Sequence, residues 1–318
     1  MVYLPKMQLE YLTFKSIKMI LPTHKTSITY IEHCKIVAVD NKLAYVRRKD
    51  AIEKHYSIPY GNTNVILLGP GTSLTQQAAF FLSSEGVLIG FVGGGNTPLY
   101  FASQSEYRPT EFMQAWVKIW EQELSRLNAA KYLQLKRIEF IRKIYNKHYS
   151  YLNINNICES FKKNIILAPN NQQLMGFEAN FVKSLYKLWA DNFEVKFKRV
   201  PQGDTIANGF IDQGNYLAYG LAASSLWVLG ISHSFAVSHG QTRRGALVFD
   251  FADLIKDSTI MPLAFESAQN KLEASQFRKE ATAFLEDSGA LKYIFECATS
   301  LCTEYTQVIN GDILKPLI

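Results

Sequence analysis

The chain has 318 residues, of which 47% are apolar, 19% charged and 13% aromatic, and its 34 Lys and Arg against 28 Asp and Glu give a net charge of +6. Intrinsic disorder is excluded, because disordered chains are poor in aromatics and rich in charge, and 18 Gly with 10 Pro exclude a collagen-like or linker composition. At roughly 100–200 residues per domain the length points to two domains.

The first hundred residues read mostly as strands. Lys35–Asp40 and Lys42–Arg48 alternate apolar and polar positions, with Asp40-Asn41 as the turn between them. Asn64–Leu68 is a short apolar strand broken by Gly69-Pro70-Gly71. Thr72 or Ser73 then offers a hydroxyl cap to a helix carrying Leu74, Ala78, Phe81 and Leu82 on one side and ending at Gly86. A second apolar strand, Val87–Val92, runs into Gly93-Gly94-Gly95. Neither glycine cluster fits the GxxxxGK[ST] or GxGxxG patterns that cradle phosphates, so tight structural turns are the better reading.

From about Tyr107 the apolar period becomes helical. Thr110 to Tyr145 reads as one long helix or two in line, with Phe112, Trp116, Ile119, Leu127, Ala130, Ile138, Ile141 and Tyr145 on one broad face. Lys118, Lys136, Lys143 and Lys147 fall on the other. Arg108 to His148 holds 9 Lys/Arg and 4 Asp/Glu, 9 − 4 = +5, so most of the net charge sits in this segment. It reads either as a solvated face or as a track for phosphates. Further helices are expected at Gln172–Ala190, Asn215–Leu229, Phe251–Asp257, Glu266–Glu286 and Ala290–Asn310. The expected class is α+β: an N-terminal β-rich domain, residues 1–106, followed by a larger all-α catalytic domain, residues 107–318.

Cys34, Cys158, Cys297 and Cys302 show neither CxxC nor zinc spacing and read as reduced thiols of a cytoplasmic protein. No charged-then-apolar-then-small order marks the N-terminus as a signal peptide. Gln213 to Thr242 lacks Lys, Arg, Asp and Glu, but its Asn215, His233, His239, Ser and Gly content fits a buried helix better than a membrane span.

Two segments carry chemistry. In the helix around Glu178, the apolar stripe of Leu174, Phe181, Leu185, Leu188 and Trp189 passes through Glu178 itself at about 100° per residue. A carboxylate there must be paired, protonated or metal-bound, and an ion pair with a buried Arg or Lys competes evenly with a ligand role. Downstream, His239 precedes Arg243 and Arg244, and Asp250 and Asp253 lie three apart on one helix face. Two like carboxylates so close repel, and a divalent cation is one remedy. Two Asp, one Glu and one His form a mixed O/N set suited to Mg²⁺ or Mn²⁺. His233 competes with His239 for any role. No Gly-x-Ser-x-Gly elbow is present, which argues against hydrolase chemistry of the α/β type.

Together these residues point to a family. The segment NVILLGPGTSLTQQAAFFLSSEGVLIGFVGGGNTPLY, Asn64–Tyr100, resembles the N-terminal signature of the CRISPR-associated adaptation integrases, the universal endonucleases that insert new spacers into CRISPR arrays. GFEANFVKSLY resembles the block carrying that family's Glu, here Glu178, and SHGQTRRGALVFDFADLIKD the block carrying its His and acidic pair, here His239, Asp250 and Asp253. The last block is most similar to the subtype I-F branch. Ala179 stands where many members have Gly, Asp253 where many have Glu, and Lys256-Asp257 where Arg-Pro often follows.

The resemblance implies a homodimer formed through the β-rich domain, two such dimers being bridged by the small second adaptation protein, which in the I-F branch is typically fused to the interference helicase-nuclease. It implies Mg²⁺ or Mn²⁺ on Glu178, His239 and Asp253 with Asp250 beside them, and double-stranded DNA as substrate, both spacer precursor and CRISPR repeat, with no membrane role. Arg243, Arg244 and Lys256, and the face of Lys118, Lys136, Lys143 and Lys147, are candidate DNA contacts by position. Two other readings remain open at this point: a structure-specific metal-dependent repair nuclease using water as nucleophile, and a non-catalytic DNA-binding scaffold.

Overall fold

The computed structural model describes residues 27–39, 42–49, 52–58, 60, 63–85, 87–91, 100–102, 110–203, 205–240 and 245–309. Two four-stranded sheets come first. One is ordered β1(Ser27–Ile31), β5(Thr63–Leu68), β7(Leu88–Phe91), β8(Tyr100–Ala102), with the first three strands parallel and β8 antiparallel. The other is ordered β4(Ile52–Ser57), β3(Lys42–Lys49), β2(Lys35–Val39), β6(Ser73–Leu74). The alternation in β2 and β3 buries Ile36 and Leu43 while Lys35 and Lys42 stay exposed, as one-sided burial of a pleated strand requires. A small apolar core of Ile36, Leu43, Ile66, Leu68, Ala78 and Leu82 joins these sheets to α1(Gln76–Ser84).

The cap of α1 is Thr75, whose hydroxyl accepts from the Ala78 amide at 3.3 Å, rather than Thr72 or Ser73. The chain spends Ser73 and Leu74 on a short parallel pairing with β2 before turning helical. Gly69-Pro70-Gly71 is a structural turn, its ends tied by His33 N–H to Pro70 O at 3.0 Å and Gly69 N–H to Ile31 O at 2.8 Å. Gly71 has φ +67°, and a Cβ on Gly69 would lie 2.2 Å from the Tyr30 hydroxyl. Gly86, Gly93-Gly94-Gly95 and the Asp40-Asn41 turn lie outside the described residues.

After Thr110 every described element is helical: α2(Glu111–Glu121), α3(Glu123–His148), α4(Asn155–Leu167), α5(Asn171–Asn192), α6(Ile206–Val228), α7(Ala246–Gln269), α8(Ala274–Asp287) and α9(Ala290–Ile309). The α+β class therefore holds. The structure narrows or departs from the sequence expectation at four points. Of one long helix or two in line, the second holds, with the break at Gln122, which has ψ 124°, so no continuous periodicity ties Lys118 to the face of Lys136, Lys143 and Lys147. The expected Glu266–Glu286 helix is divided between α7, ending at Gln269, and α8, starting at Ala274. α4, which the sequence pattern does not announce, buries Cys158, Phe161 and Ile165. α7 runs unbroken through Pro262, where the sequence predicts a gap between two helices. Proline removes one backbone hydrogen bond, but α7 is buried nearly all round against α3, α5 and α6, and packing holds it. All four cysteines are buried and unbridged.

Candidate active site

The site begins on α5. Asn170 caps this helix by accepting from the Gln173 amide at 2.9 Å. Leu174, Phe181, Leu185 and Trp189 are buried on one side, each worth about 1.5–3 kcal/mol when fully removed from water. Glu178 sits among them with its side chain 21% exposed. It is met by Arg137 of α3, whose Nη1 donates to Glu178 Oε1 at 2.9 Å.

Arg137 is the centre of the arrangement and was not anticipated from the sequence. It is fully buried, on the stripe of Ala130, Leu133, Ile141 and Ile144. Nε donates to Asp257 Oδ2 at 2.7 Å, Nη2 meets the same oxygen, and Nη1 also reaches Gln134 Oε1 at 3.1 Å. Asp253 Oδ2 lies 3.6 Å from Nη1. Burial works against the guanidinium charge, but Asp257, Asp253 and Glu178 together hold it firmly protonated.

Asp253 and Asp257 both belong to α7, and Lys256 stands between them in sequence. The Lys256 ammonium pairs with Asp253 Oδ1. Burial pushes Asp253 toward the neutral form, but Lys256, Arg137 and His239 outweigh it and lower its pKa. Burial raises Asp257, only partly offset by Arg137 and Lys256. Burial likewise opposes a charged Lys256, and Asp253 and Asp257 reverse the effect. Three carboxylates thus face two cations in one pocket of the protein.

His239 reaches this corner from the segment between α6 and α7. That segment is held from several sides. Trp116 and Trp120 of α2 donate to the Phe235 and Ala236 carbonyls at 2.9 and 3.0 Å, and Asn171 of α5 to the Val237 carbonyl at 2.8 Å. Asp250 completes the grip: Oδ2 accepts from the Val237 and Ser238 amides, Oδ1 from the His239 amide and from His239 Nδ1 at 2.7 Å. A carboxylate only accepts, so Nδ1 donates, and in the neutral ring Nε2 carries the lone pair. Burial disfavours the imidazolium, but the Asp250 hydrogen bond and the nearby Asp253 charge outweigh it and raise the His239 pKa. Gly245, at φ +65°, turns the chain into α7.

The structure therefore gathers Glu178, Asp253 and His239, with Asp250 behind His239 and its acceptor positions taken. His233 points elsewhere, its Nε2 3.2 Å from the Ala223 carbonyl. Arg243 and Arg244 lie outside the described residues. Lys136 pairs with Glu139 at 2.8 Å, while Lys118, Lys143 and Lys147 are exposed. Among the described residues, no three His, Cys, Asp or Glu side chains converge on one point as a bound ion needs, because Arg137 and Lys256 draw the carboxylates onto themselves. The donor set still fits an ion in kind: two carboxylates and an imidazole held by a second carboxylate, the usual support of a metal-binding histidine. Asp253 is buried, with Oδ1 on the Lys256 ammonium and Oδ2 3.6 Å from Arg137 Nη1, so its carboxylate is already neutralised by cations of the protein itself.

No helix among the described residues is long and apolar enough to cross a membrane. Residues 29–298 match the family described as CRISPR associated protein Cas1. The chain is 41% identical to the CRISPR-associated endonuclease Cas1 of Pseudomonas aeruginosa, strain UCBPP-PA14, over 88% of this chain and 94% of that protein. It is 36% identical to the CRISPR-associated endonuclease Cas1 of Pectobacterium atrosepticum, over 92% and 97% respectively. The fold superposes on a Cas1 protein from Thermotoga maritima with a TM-score of 0.70, covering 91% of this chain and 99% of that one at 17% identity. With its order of strands and helices, its family pattern and two such relatives in agreement, the chain belongs to the Cas1 family of CRISPR-associated proteins.

Proposed function

We propose that the protein is a metal-dependent DNA endonuclease and integrase of CRISPR adaptation. A free 3′-hydroxyl of a short duplex attacks a phosphodiester at the edge of a CRISPR repeat. The new phosphodiester forms as the old P–O bond breaks, and the displaced strand leaves with its own 3′-hydroxyl. The observation that supports this reading is that Glu178 and Asp253 share the buried Arg137 while Asp250 holds His239 beside Asp253, in a chain of the Cas1 family.

Glu178, His239 and Asp253 would hold Mg²⁺ or Mn²⁺. Such an ion, when bound, polarises the scissile phosphate and lowers the pKa of the attacking hydroxyl. Asp250 keeps the His239 ring oriented with its proton on Nδ1. Arg137 bridges Glu178 and Asp253. Double-stranded DNA is the proposed substrate, as spacer precursor and as repeat. The proposed assembly is a homodimer, two of which are bridged by the small second adaptation protein, fused in this branch to the interference helicase-nuclease.

Strand transfer tests the proposal. Purified protein and its adaptation partner receive a supercoiled plasmid bearing a CRISPR array and a short labelled duplex, with Mg²⁺ or Mn²⁺, with chelator, and with Glu178→Ala. Metal-dependent joining of label to plasmid, lost in the variant, is the expected result. Cleavage without joining would mean a plain nuclease with water as nucleophile. Joining that survives chelator or the substitution would remove the metal site.

A further inference from the structure

Asp253 has an unusual environment. Its carboxylate is 2% exposed, and its close company is two cations, the Lys256 ammonium on Oδ1 and Arg137 Nη1 3.6 Å from Oδ2. Those cations are not equivalent. Arg137 is fully buried and anchored to Asp257, Gln134 and Glu178 at once. Lys256 has a side chain 22% exposed, an unbranched flexible stem, and an ion pair with Asp253. The charges also differ in what they leave. Glu178, Asp253 and Asp257 against Arg137 alone sum to −3 + 1 = −2, and Lys256 reduces this to −1.

Beside Lys256 there is somewhere to go. A cavity of about 370 Å³ between α5, α6 and α7 is lined by Lys256 itself with Glu178, Tyr186, Arg199, Tyr219 and Asp257. The volume far exceeds what one ammonium group needs, and Asp257 and Tyr219 offer oxygen partners there.

We propose that Lys256 is a displaceable counter-ion of the metal site: its ammonium holds Asp253 in the metal-free protein, and a divalent cation entering at Asp253 drives it into the adjoining cavity. The inference rests on the metal reading above. An ammonium and a divalent ion compete for the same carboxylate oxygens, and their mutual repulsion at contact distance forbids sharing. Lys256 thereby keeps the carboxylates from flying apart before metal arrives, and weakens metal binding while doing so. It is a positioning residue, acting through Asp253.

The test is Mn²⁺ binding to the full chain without DNA, followed by the loss of the free-ion signal in electron paramagnetic resonance. Lys256→Met should bind Mn²⁺ at least tenfold more tightly than the natural chain, while Lys256→Arg, which keeps the charge, should stay within about threefold. Equal or weaker binding by Lys256→Met, with the natural chain binding and Glu178→Gln binding less, would overturn the counter-ion role and leave the metal site standing. Absence of binding by the natural chain and by Lys256→Met alike would overturn both. A second measurement needs no variant. Acetylation of Lys256, followed by peptide mass spectrometry with exposed Lys143 as internal reference, should rise severalfold when Mn²⁺ is added. Unchanged or reduced labelling would show that the ammonium stays on Asp253, and the proposal would fall.

Discussion

Two arginines organise this protein, Arg137 fully buried and Arg278 half-buried, and they are arranged on opposite principles. Arg278 of α8 joins the helical region to β1: Nη2 donates to Glu32 Oε2 at 2.8 Å and Nη1 to Gln213 Oε1 at 3.0 Å, while the Tyr30 hydroxyl donates to the same Glu32 oxygen. One cation faces one carboxylate, and the pair is neutral. Arg137 faces three carboxylates with only Lys256 to help, and the cluster stays negative. A buried pair serving structure alone does best when balanced and hydrogen-bonded, since unpaired buried charge is costly. A surplus of negative charge destabilises the fold unless something positive is recruited. The junction is balanced, whereas the site, on the proposed reading, takes its balancing charge from a bound cation.

Removing each arginine should expose the difference most strongly. Arg137→Met strands three carboxylates in a buried pocket and should cost about 3–5 kcal/mol, a large share of a typical domain's stability of roughly 5–15 kcal/mol. Urea unfolding of the metal-free protein would measure it. A loss below about 1 kcal/mol would mean the carboxylates relax into water and the cluster is not closed. At the junction, Arg278→Met alone should cost about 1–3 kcal/mol, the desolvation of an abandoned Glu32. Combining it with Glu32→Gln should recover most of that loss, because a balanced pair removed whole leaves no orphan charge.

Asp250 sharpens the comparison at an intermediate scale. It bears negative charge inside the site without facing Arg137, and its oxygens take three backbone amides and His239 Nδ1. Asp250→Asn turns an amide NH₂ toward groups that are themselves donors. Mn²⁺ affinity should fall about 10–100-fold, the usual cost of losing the partner behind a metal-binding histidine. Titration calorimetry would read it, and an unchanged affinity would detach His239 from the metal set.

The junction also predicts a pH limb. Burial pushes Glu32 up, but the Tyr30 and Arg278 hydrogen bonds prevail and lower its pKa. A carboxylate lowered in the folded state contributes stability that is present above its unfolded value, roughly 4.3, and is lost as pH falls through the lower folded value. Thermal unfolding between pH 6 and 3 should therefore show a steeper decline in the natural chain than in Glu32→Gln. Parallel curves would mean Glu32 is not ionised in the fold.

How much of this could be read in the sequence follows from the same physics. Glu178 was legible because a charge on an apolar stripe is costly, and the stripe of Leu174, Phe181, Leu185 and Trp189 is indeed buried. Its two open alternatives, ligand or ion pair, meet in one residue: the pair with Arg137 is present, and it leaves the donor chemistry in place. Arg137 carried the same signal on the stripe of Ala130, Leu133, Ile141 and Ile144, yet in the sequence it enters only the basic total of Arg108 to His148. Asp250 and Asp253 were legible as a pair, but their division of labour was not. One turns to backbone amides and the other to two cations, and only the path of residues 231–240 decides that. α7 was misread at Pro262 because local propensity argues for a break, whereas burial on all sides is a tertiary property.

Lys136, Lys143 and Lys147 mark the smallest expected effect and the opposite extreme from Arg137. They line an accessible side of α3, Lys136 paired with Glu139 and both side chains substantially exposed, 31% and 59%. Exposed pairs contribute little to stability, about 0–1 kcal/mol, so Lys143→Ala and Lys147→Ala should leave unfolding nearly unchanged. Their effect, if they track phosphates, lies in the salt dependence of DNA binding. Each lysine–phosphate pairing removed makes the slope of log K against log salt shallower by about 0.9, so the double variant should flatten it by nearly twice that. Lys118, set apart by the break at Gln122, supplies the control. If its replacement moves the slope as much as the pair does, the charge acts as a diffuse field over the helical region. If only the α3 lysines move it, a continuous path along that helix carries the DNA. An unaltered slope in all three would return the basic face to solvent, and net charge in this protein would then matter chiefly where it is buried.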